Sequence, residues 1–188
     1  MAERISALAG NYRTGHHGNP DRTGVILEDV RGLVLHQVAA WPETIDAVGK
    51  LAAKQIGARA DAAAGPCSAT VGSAGAMLRV EPLKWWLYGV AAPALDAEQG
   101  AILDLSHSRT HLRVGGDDAV EFLNRHFPLD LRPQSFPPGA VASSATHHVG
   151  VTLWHSADGY ELFLPRGFAL SLWEGFIESA TQFGLEIR

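Results

Sequence analysis

Serine, cysteine and histidine are the side chains in this sequence best suited to nucleophilic or acid–base chemistry. Ser106 and His107 are adjacent, which suggests a nucleophile beside its base. Neighbouring residues of a strand point to opposite faces, however, so this pair does not converge as a catalytic triad must. The single cysteine, Cys67, lacks the paired spacing of a redox or zinc motif. A hydrolase that uses Ser106 or Cys67 with a distant histidine is a hypothesis that the spacing does not favour.

Nine histidines offer metal ligands, but their spacing does not bring them together. His107 and His111 are four residues apart in a segment, 103–114, whose pattern predicts a strand. Four residues along a strand span about 13 Å, which is too far for one metal ion. His16 and His17 are adjacent in a polar segment and point in different directions. The sequence therefore predicts no metal site, and no set of residues converges as a catalytic site.

A phosphate-binding loop is also missing from the pattern. Residues 72–76 are rich in glycine and alanine, but they lack the GxGxxG spacing and no phosphate-binding lysine follows. Fifteen basic against 20 acidic residues give a formal charge of −5, and no basic stripe interleaved with aromatic residues is present. We therefore expect no cofactor in this chain and no nucleic acid partner.

The composition also indicates a compartment. A single cysteine cannot form an internal disulfide, which fits a reducing environment. No segment approaches the roughly 20 apolar residues that a membrane-spanning helix needs, and the first ten residues lack the apolar run of a signal peptide. We therefore expect a soluble, cytoplasmic protein that does not bind a membrane.

The elements that would position any site repeat one order in the two halves of the chain. In the first half, apolar patterns predict a strand at 33–38, a helix from Pro42 to Ile56, and strands at 77–80 and 85–88. In the second half they predict a strand, a helix and two strands, followed by a last amphipathic helix that begins near Phe168. The strands are 110–114, 148–155 and 160–164, and the helix between the first two strands starts near residue 117.

This order predicts an α+β protein of two small lobes, each of the type strand, helix, strand, strand, with a mostly antiparallel sheet. Residues 1–24 show no apolar periodicity, and we expect an irregular N-terminal arm there. The first lobe is expected over residues 25–100 and the second over residues 101–188.

Aromatic and proline residues indicate a surface for a protein partner. Trp85 and Trp86 are adjacent on a predicted strand, so they must face opposite sides of it. One fits a core, and the other faces either a covering helix or a partner, because tryptophan is enriched at binding hot spots. The proline-rich segment 128–138 is a second candidate. The predicted interface residues are Trp85, Trp86, Pro128, Phe136 and Pro137.

Three segments resemble a known family. They read RVEPLKWWLYG, ILDLSHSRTHLRVGGDDAVEFLNRHFPLDLRPQSFPPG and GYELFLPRGFALSLWEGFIESATQFG. Together they resemble the γ subunits of heterotetrameric sarcosine oxidase, over about residues 78–184. The most specific part is DLSHSR, Asp104 to Arg109, with the segment from Pro128 to Gly139.

The resemblance implies a non-catalytic γ subunit that supports a complex with α, β and δ subunits. That complex oxidatively demethylates sarcosine to glycine, and a related N-methyl amine stays open as the parent substrate. FAD, FMN, NAD and tetrahydrofolate are implied for the partner subunits. We therefore expect no activity from this chain alone, which could self-associate when it is isolated.

A more distant resemblance links residues 114–139 to the folate-binding aminomethyltransferases, or glycine-cleavage T-proteins. It implies that the lobes adopt part of the aminomethyltransferase folate-binding fold. The aminomethyltransferase pattern has an acidic pair before its next strand, whereas this chain has Thr146, His147 and His148 there. A folate site needs an anionic partner for the pterin and a base near the amine, so this difference does not favour folate chemistry by the chain alone. Because the plan of residues 114–139 is shared, a free-standing folate or small-molecule binding protein is the alternative function.

Overall fold

The computed structural model describes residues 5–188, and these form strands with few helices. The described residues contain twelve strands and three α-helices. In chain order they are β1 (Gly15–His17), β2 (Val25–Asp29), β3 (Leu35–Ala40), α1 (Ile45–Gln55), β4 (Ala69–Val71), β5 (Ala76–Glu81), β6 (Lys84–Tyr88), β7 (Gly100–Asp104), β8 (Arg109–Gly115), α2 (Ala119–His126), β9 (Val141–Thr146), β10 (Val149–His155), β11 (Tyr160–Pro165), α3 (Ala169–Ala180) and β12 (Leu185–Ile187).

The chain divides into two compact units. The middle unit comprises residues 32–107 and 139–142, and the terminal unit comprises the described residues up to Arg31 with 108–138 and 143–188. One sheet has five strands in the order β4-β5-β6-β3-β7, and the other has seven in the order β1-β12-β2-β8-β11-β10-β9. Strand pairs are antiparallel apart from β12 with β2. The α+β class with mostly antiparallel sheets is confirmed.

In the middle unit, α1 packs on one face of the five-stranded sheet. Pro42 sits in a 3₁₀ turn that leads into the helix, and Asp46 in its first turn suits the positive end of the helix dipole. Gly57 has φ of +76° just after the helix, a conformation that glycine adopts without strain. The core between helix and sheet contains Val38, Ala40, Val48, Ala52, Ala53, Ile56, Ala64, Met77, Trp85 and Leu87.

In the terminal unit, the period of two along each strand builds a buried apolar row. Leu153, Leu162 and Leu112 lie opposite one another on β10, β11 and β8, and all three are fully buried. Helix α3 has 12 residues and buries Leu172, Trp173 and Phe176 among others. No helix within residues 5–188 is long and apolar enough to cross a membrane.

The units differ from the expected lobes at both boundaries. Val25–Asp29 pairs with β8 and β12, so it belongs to the terminal unit and not to a lobe that begins at residue 25. Gly100–Asp104 pairs with β3, which moves the other boundary from residue 100 to residue 107. The N-terminal segment expected to be an irregular arm includes β1, because Gly15–His17 pairs with the last strand of the chain.

A row of charged side chains crosses the terminal sheet next to the leucine row. Arg113 lies between Glu28 and Glu161, which face it from β2 and β11. The Arg113 Nε–H donates to Glu161 Oε1 at 2.9 Å, and the guanidinium contacts Glu28 at 3.4 Å. Glu161 also accepts from the hydroxyl of Ser156 at 2.8 Å, and its other oxygen lies 2.6 Å from Nε2 of His111. The buried carboxylate is therefore held by three partners.

These partners keep Glu161 ionised although it is buried. Burial alone would raise the pKa of its carboxyl group, but the hydrogen bonds from His111, Ser156 and Arg113 outweigh burial and lower that pKa below its ordinary value of 4.5. A lowered pKa in the folded state stabilises the fold above the ordinary pKa. This contribution is lost as the pH falls below 4.5.

Trp85→Ala is expected to lower the free energy of unfolding by about 3–5 kcal/mol, because it leaves a cavity between α1 and the sheet. Chemical denaturation of the purified chain measures the change. Trp41→Ala is the matched control: Trp41 is exposed, and its loss should cost about 1 kcal/mol or less. Equal losses for the two variants would contradict this assignment of the core.

Glu161→Gln is expected to lower the free energy of unfolding by about 3 kcal/mol at neutral pH, because Arg113 loses its buried ionic partner. It should also make the fall in stability below pH 4.5 shallower than in the unsubstituted chain. Denaturant titrations from pH 3 to pH 7 test both effects. Glu121→Gln removes an exposed ion pair to Arg125 and should leave both the stability and its pH profile close to wild type.

Candidate partner-binding surface

The adjacent tryptophans predicted as partner contacts are both buried. Trp85 is 1% exposed, and its indole N–H donates to the carbonyl oxygen of Ala64 at 3.1 Å. Trp86 is 6% exposed, and its indole N–H donates to Oε1 of Gln37 at 3.3 Å. The two rings do face opposite sides of β6, but β6 is an interior strand that is buried on both sides. Trp85 and Trp86 are therefore corrected to core residues of this chain.

Of the interface residues predicted in the proline-rich segment, one is buried and two are exposed. Phe136 is buried, and its ring stacks near those of His155 and Tyr160, with centroid distances of 6.3 and 6.4 Å. Nδ1 of His155 also lies 2.8 Å from the carbonyl oxygen of Phe136. Burial thus removes Phe136 as a surface contact. Pro128 and Pro137 are exposed, and they stay predicted contacts.

Exposed apolar side chains occur together at one edge of the five-stranded sheet. There β7 is an edge strand, and its Ile102 and Leu103 are 40% and 54% exposed. Trp41, which follows β3, is 44% exposed and belongs to the same edge, because its backbone N–H donates to the carbonyl oxygen of Gln99 at 3.2 Å. We call Trp41 and residues 100–104 the β7 edge.

The indole of Trp41 is fixed against the turn that precedes β7. Its ring N–H donates to the carbonyl oxygen of Ala97 at 2.8 Å. The hydroxyl of Thr44 donates to the carbonyl oxygen of Gln99 at 2.5 Å, which ties the start of the 3₁₀ turn to the same segment. A side chain held in this way loses little conformational freedom when a partner binds, which favours it as an anchor.

Carboxylates flank this apolar edge along the chain. Glu43, Asp96, Glu98 and Asp104 are all exposed. Hydrogen bonds from the side chain and backbone N–H of Ser106 lower the pKa of Asp104, and the N–H contact is 2.8 Å. Asp104 therefore stays ionised over a wide pH range. The β7 edge combines exposed apolar side chains with negative charge.

The residues singled out for chemistry have structural roles or lie apart. Ser106 is buried, and its hydroxyl accepts a hydrogen bond from the backbone N–H of Leu35 at 3.0 Å. The segment 103–114 was expected to be one strand, but the chain turns after Asp104, so His107 lies in a turn and His111 in β8. Cys67 is exposed at a position with φ of +53°. Within residues 5–188, no three His, Cys, Asp or Glu side chains are grouped to hold a metal ion.

The acid–base pair of His111 and Glu161 is closed to a substrate. Each residue is 1% exposed, and each oxygen of the carboxylate already accepts a hydrogen bond within the terminal sheet. This arrangement stabilises a fold and is unsuited to proton transfer with a bound molecule.

The sequence interpretation missed the β7 edge because it joined Leu103 to the following strand. The signal was present: Asp104 and Ser106 have the spacing of a turn in which a carboxylate accepts from the N–H two residues later. Gly100 marks the other end of the short strand. A five-residue apolar strand between two such breaks predicts an edge as readily as an interior strand.

No family model matches the chain. It is 30% identical over 122 residues to the sarcosine oxidase subunit gamma of Arthrobacter sp., which covers 65% of this chain and 60% of that protein. It is 29% identical over 121 residues to the protein of the same name from Corynebacterium sp. strain P-1, covering 64% of this chain and 59% of the relative. The chain thus matches about three fifths of the length of these curated relatives.

Two solved structures share the fold. A chain of heterotetrameric sarcosine oxidase from Corynebacterium sp. U-96, in complex with pyrrole 2-carboxylate, superposes with a TM-score of 0.79 and 22% identity over 96% of each chain. The glycine cleavage system aminomethyltransferase T from Bartonella henselae has a TM-score of 0.61 and 18% identity, over 88% of this chain and 48% of that one. The chain is therefore similar in sequence to sarcosine oxidase γ subunits, and its fold is the one seen in a chain of heterotetrameric sarcosine oxidase and in part of an aminomethyltransferase.

Proposed function

We propose that this chain is a non-catalytic γ-type subunit of a heterotetrameric sarcosine oxidase. The observation that carries the proposal is the 30% identity over 122 residues to a protein named as a γ subunit. The fold match over 96% of both chains supports it, because the likeness to a chain of such a complex extends over both units and is not confined to one segment. The parent reaction is the oxidative demethylation of sarcosine to glycine.

The side chains of the chain support a binding role. The buried ionisable groups of the terminal sheet pair with one another, as Glu161 does with Arg113 and His111. Large exposed apolar residues, in contrast, lie on both units, and those of the middle unit include Trp41, Ile102 and Leu103 of the β7 edge. Surfaces that pair apolar side chains with a charged rim are typical of protein–protein contacts.

The partners of this proposal are the α, β and δ subunits of the complex. FAD, FMN, NAD and tetrahydrofolate belong to those subunits, and this chain contributes surface. It acts by mass action: a subunit that binds only the folded assembly increases the population of that assembly, and does so more strongly as its free concentration exceeds the dissociation constant.

Co-expression tests the proposal directly. A tagged form of this chain should retain the α, β and δ subunits through affinity and size-exclusion steps, and the retained complex should oxidise sarcosine with release of hydrogen peroxide. The chain purified alone should show no flavin absorbance and no sarcosine oxidation. Oxidation by the isolated chain, or failure to retain any subunit at micromolar concentration, would overturn the proposal.

A titration with tetrahydrofolate separates this function from that of a free-standing folate-binding protein. The isolated chain should give no saturable heat in calorimetry. Saturable binding by the isolated chain would favour the aminomethyltransferase-like alternative, because that function needs no other subunit.

A further inference from the structure

We propose that the β7 edge binds an extended segment of a partner subunit, which adds a sixth strand to the five-stranded sheet of the middle unit. Basic residues flank the apolar part of this segment. The inference rests on the proposed function, since it needs another subunit. Beyond that function, it identifies the place on this chain where one partner binds, the backbone groups that bind it, and the chemistry of the bound segment.

The backbone N–H and C=O groups of alternate residues of β7 point away from β3, as the addition of a strand requires. In an antiparallel pair, alternate residues direct their N–H and C=O groups toward the neighbouring strand, and the others direct them away. Leu105 N–H donates to the carbonyl oxygen of Leu35, and Trp41 N–H donates to that of Gln99. These two bonds, with the register of the pair, place the odd-numbered residues of β7 toward β3. Ile102 and Asp104 therefore direct their N–H and C=O groups away from the sheet.

The side chains of β7 offer apolar contacts on both faces of an added strand. Ile102 lies opposite Val38, on the face that carries Trp85, whereas Leu103 lies opposite Gln37, on the face that carries Trp86. Both side chains are exposed. Apolar residues of an added strand would cover Ile102 on one face and Leu103 on the other, which is the usual source of specificity when a peptide extends a sheet.

The other edge strands of the two sheets are protected or polar, and β7 is not. β1 and β4 have only three residues each, and β9 has the sequence VASSAT with two serines. Short strands, proline, lysine and bulges are the devices that keep an edge from pairing. Within its five residues, GAILD, β7 contains neither proline nor lysine.

The charge of the edge selects a partner segment over a second copy of this chain. Glu43, Asp96, Glu98 and Asp104 are exposed near β7. Two copies paired through β7 would bring two such sets of carboxylates to one new strand pair, where like charges repel. A segment with lysine or arginine beside its apolar residues fits this edge.

Ile102→Pro tests strand addition, because it removes one outward-facing N–H while every N–H directed at β3 is kept. Proline is tolerated at such positions of edge strands. Affinity for the co-expressed subunits should fall at least about tenfold, the cost of roughly one well-placed hydrogen bond with the contacts it aligns. Val71→Pro is the matched control: Val71 is exposed on β4, at the opposite edge, and its N–H also points away from its neighbour strand, so binding should be unchanged.

Hydrogen exchange gives a readout that does not depend on the variant folding. In the complex of the unsubstituted chain with its partner subunits, the amides of Ile102 and Asp104 should become protected, whereas that of Leu103 should change little because it already bonds to β3. Unchanged exchange at Ile102 and Asp104 in a complex that forms would overturn strand addition and leave the proposed function intact. Absence of a complex would instead count against the proposed function.

Charge reversal tests the chemistry of the segment. Asp96→Lys together with Glu98→Lys should weaken binding at least about tenfold at low salt, with a smaller effect at high salt where charges are screened. An unchanged affinity would rule out a basic segment. If sedimentation of the isolated chain instead shows a dimer that Ile102→Pro abolishes, then a second copy occupies the β7 edge, and the partner assignment is wrong.

Discussion

The position of β3 between two hydrogen-bonded neighbours determines what the middle unit can present to solvent. Its even-numbered residues bond to β6, as Ala40 N–H does to Leu83, and its odd-numbered residues bond to β7, as Leu35 does to Leu105. The N–H and C=O groups on both sides of β3 are therefore bonded within the sheet. The side chains of β3 and of its neighbour β6 are mostly buried or half-buried. Only the strand with a single neighbour keeps backbone groups for another chain, so the capacity to bind lies where the sheet ends.

The same constraint explains why the alternation of strand residues correctly placed the two adjacent tryptophans on opposite faces, and yet wrongly predicted that one of them is a partner contact. Adjacent residues of a strand must face opposite sides, and Trp85 and Trp86 do. Whether the second side is covered depends on what the rest of the chain packs there, which no local pattern contains. Trp41 had a weaker pattern, since it precedes a proline at a helix start, yet it is the exposed one of the three.

Elements with several turns or an unbroken apolar run were predictable. The helix that ends near Ile56, the strand around Trp85 and the last helix, expected to begin near Phe168, agree with α1, β6 and α3 to within three residues. The three-residue strands β1 and β12 were not predictable, because pairs such as Gly15 with Ile187 join residues at opposite ends of the chain. Such pairing is decided by long-range packing and leaves no period in the sequence. The β7 edge shares this property, since its exposure follows from strand order.

This chain shares its fold with part of an aminomethyltransferase, and a shared fold does not by itself imply shared chemistry. Where that pattern has an acidic pair, this chain has His147 and His148, which connect the neighbouring strands β9 and β10 with φ of +46° and +65°. Both are exposed at a tight turn, where the ring of His147 lies near that of His126, with centroids 6.4 Å apart. The buried carboxylate that the terminal sheet does have, Glu161, is bonded to three side chains of that sheet. Its ionisation stabilises the fold, because all three of these hydrogen bonds favour the charged carboxylate.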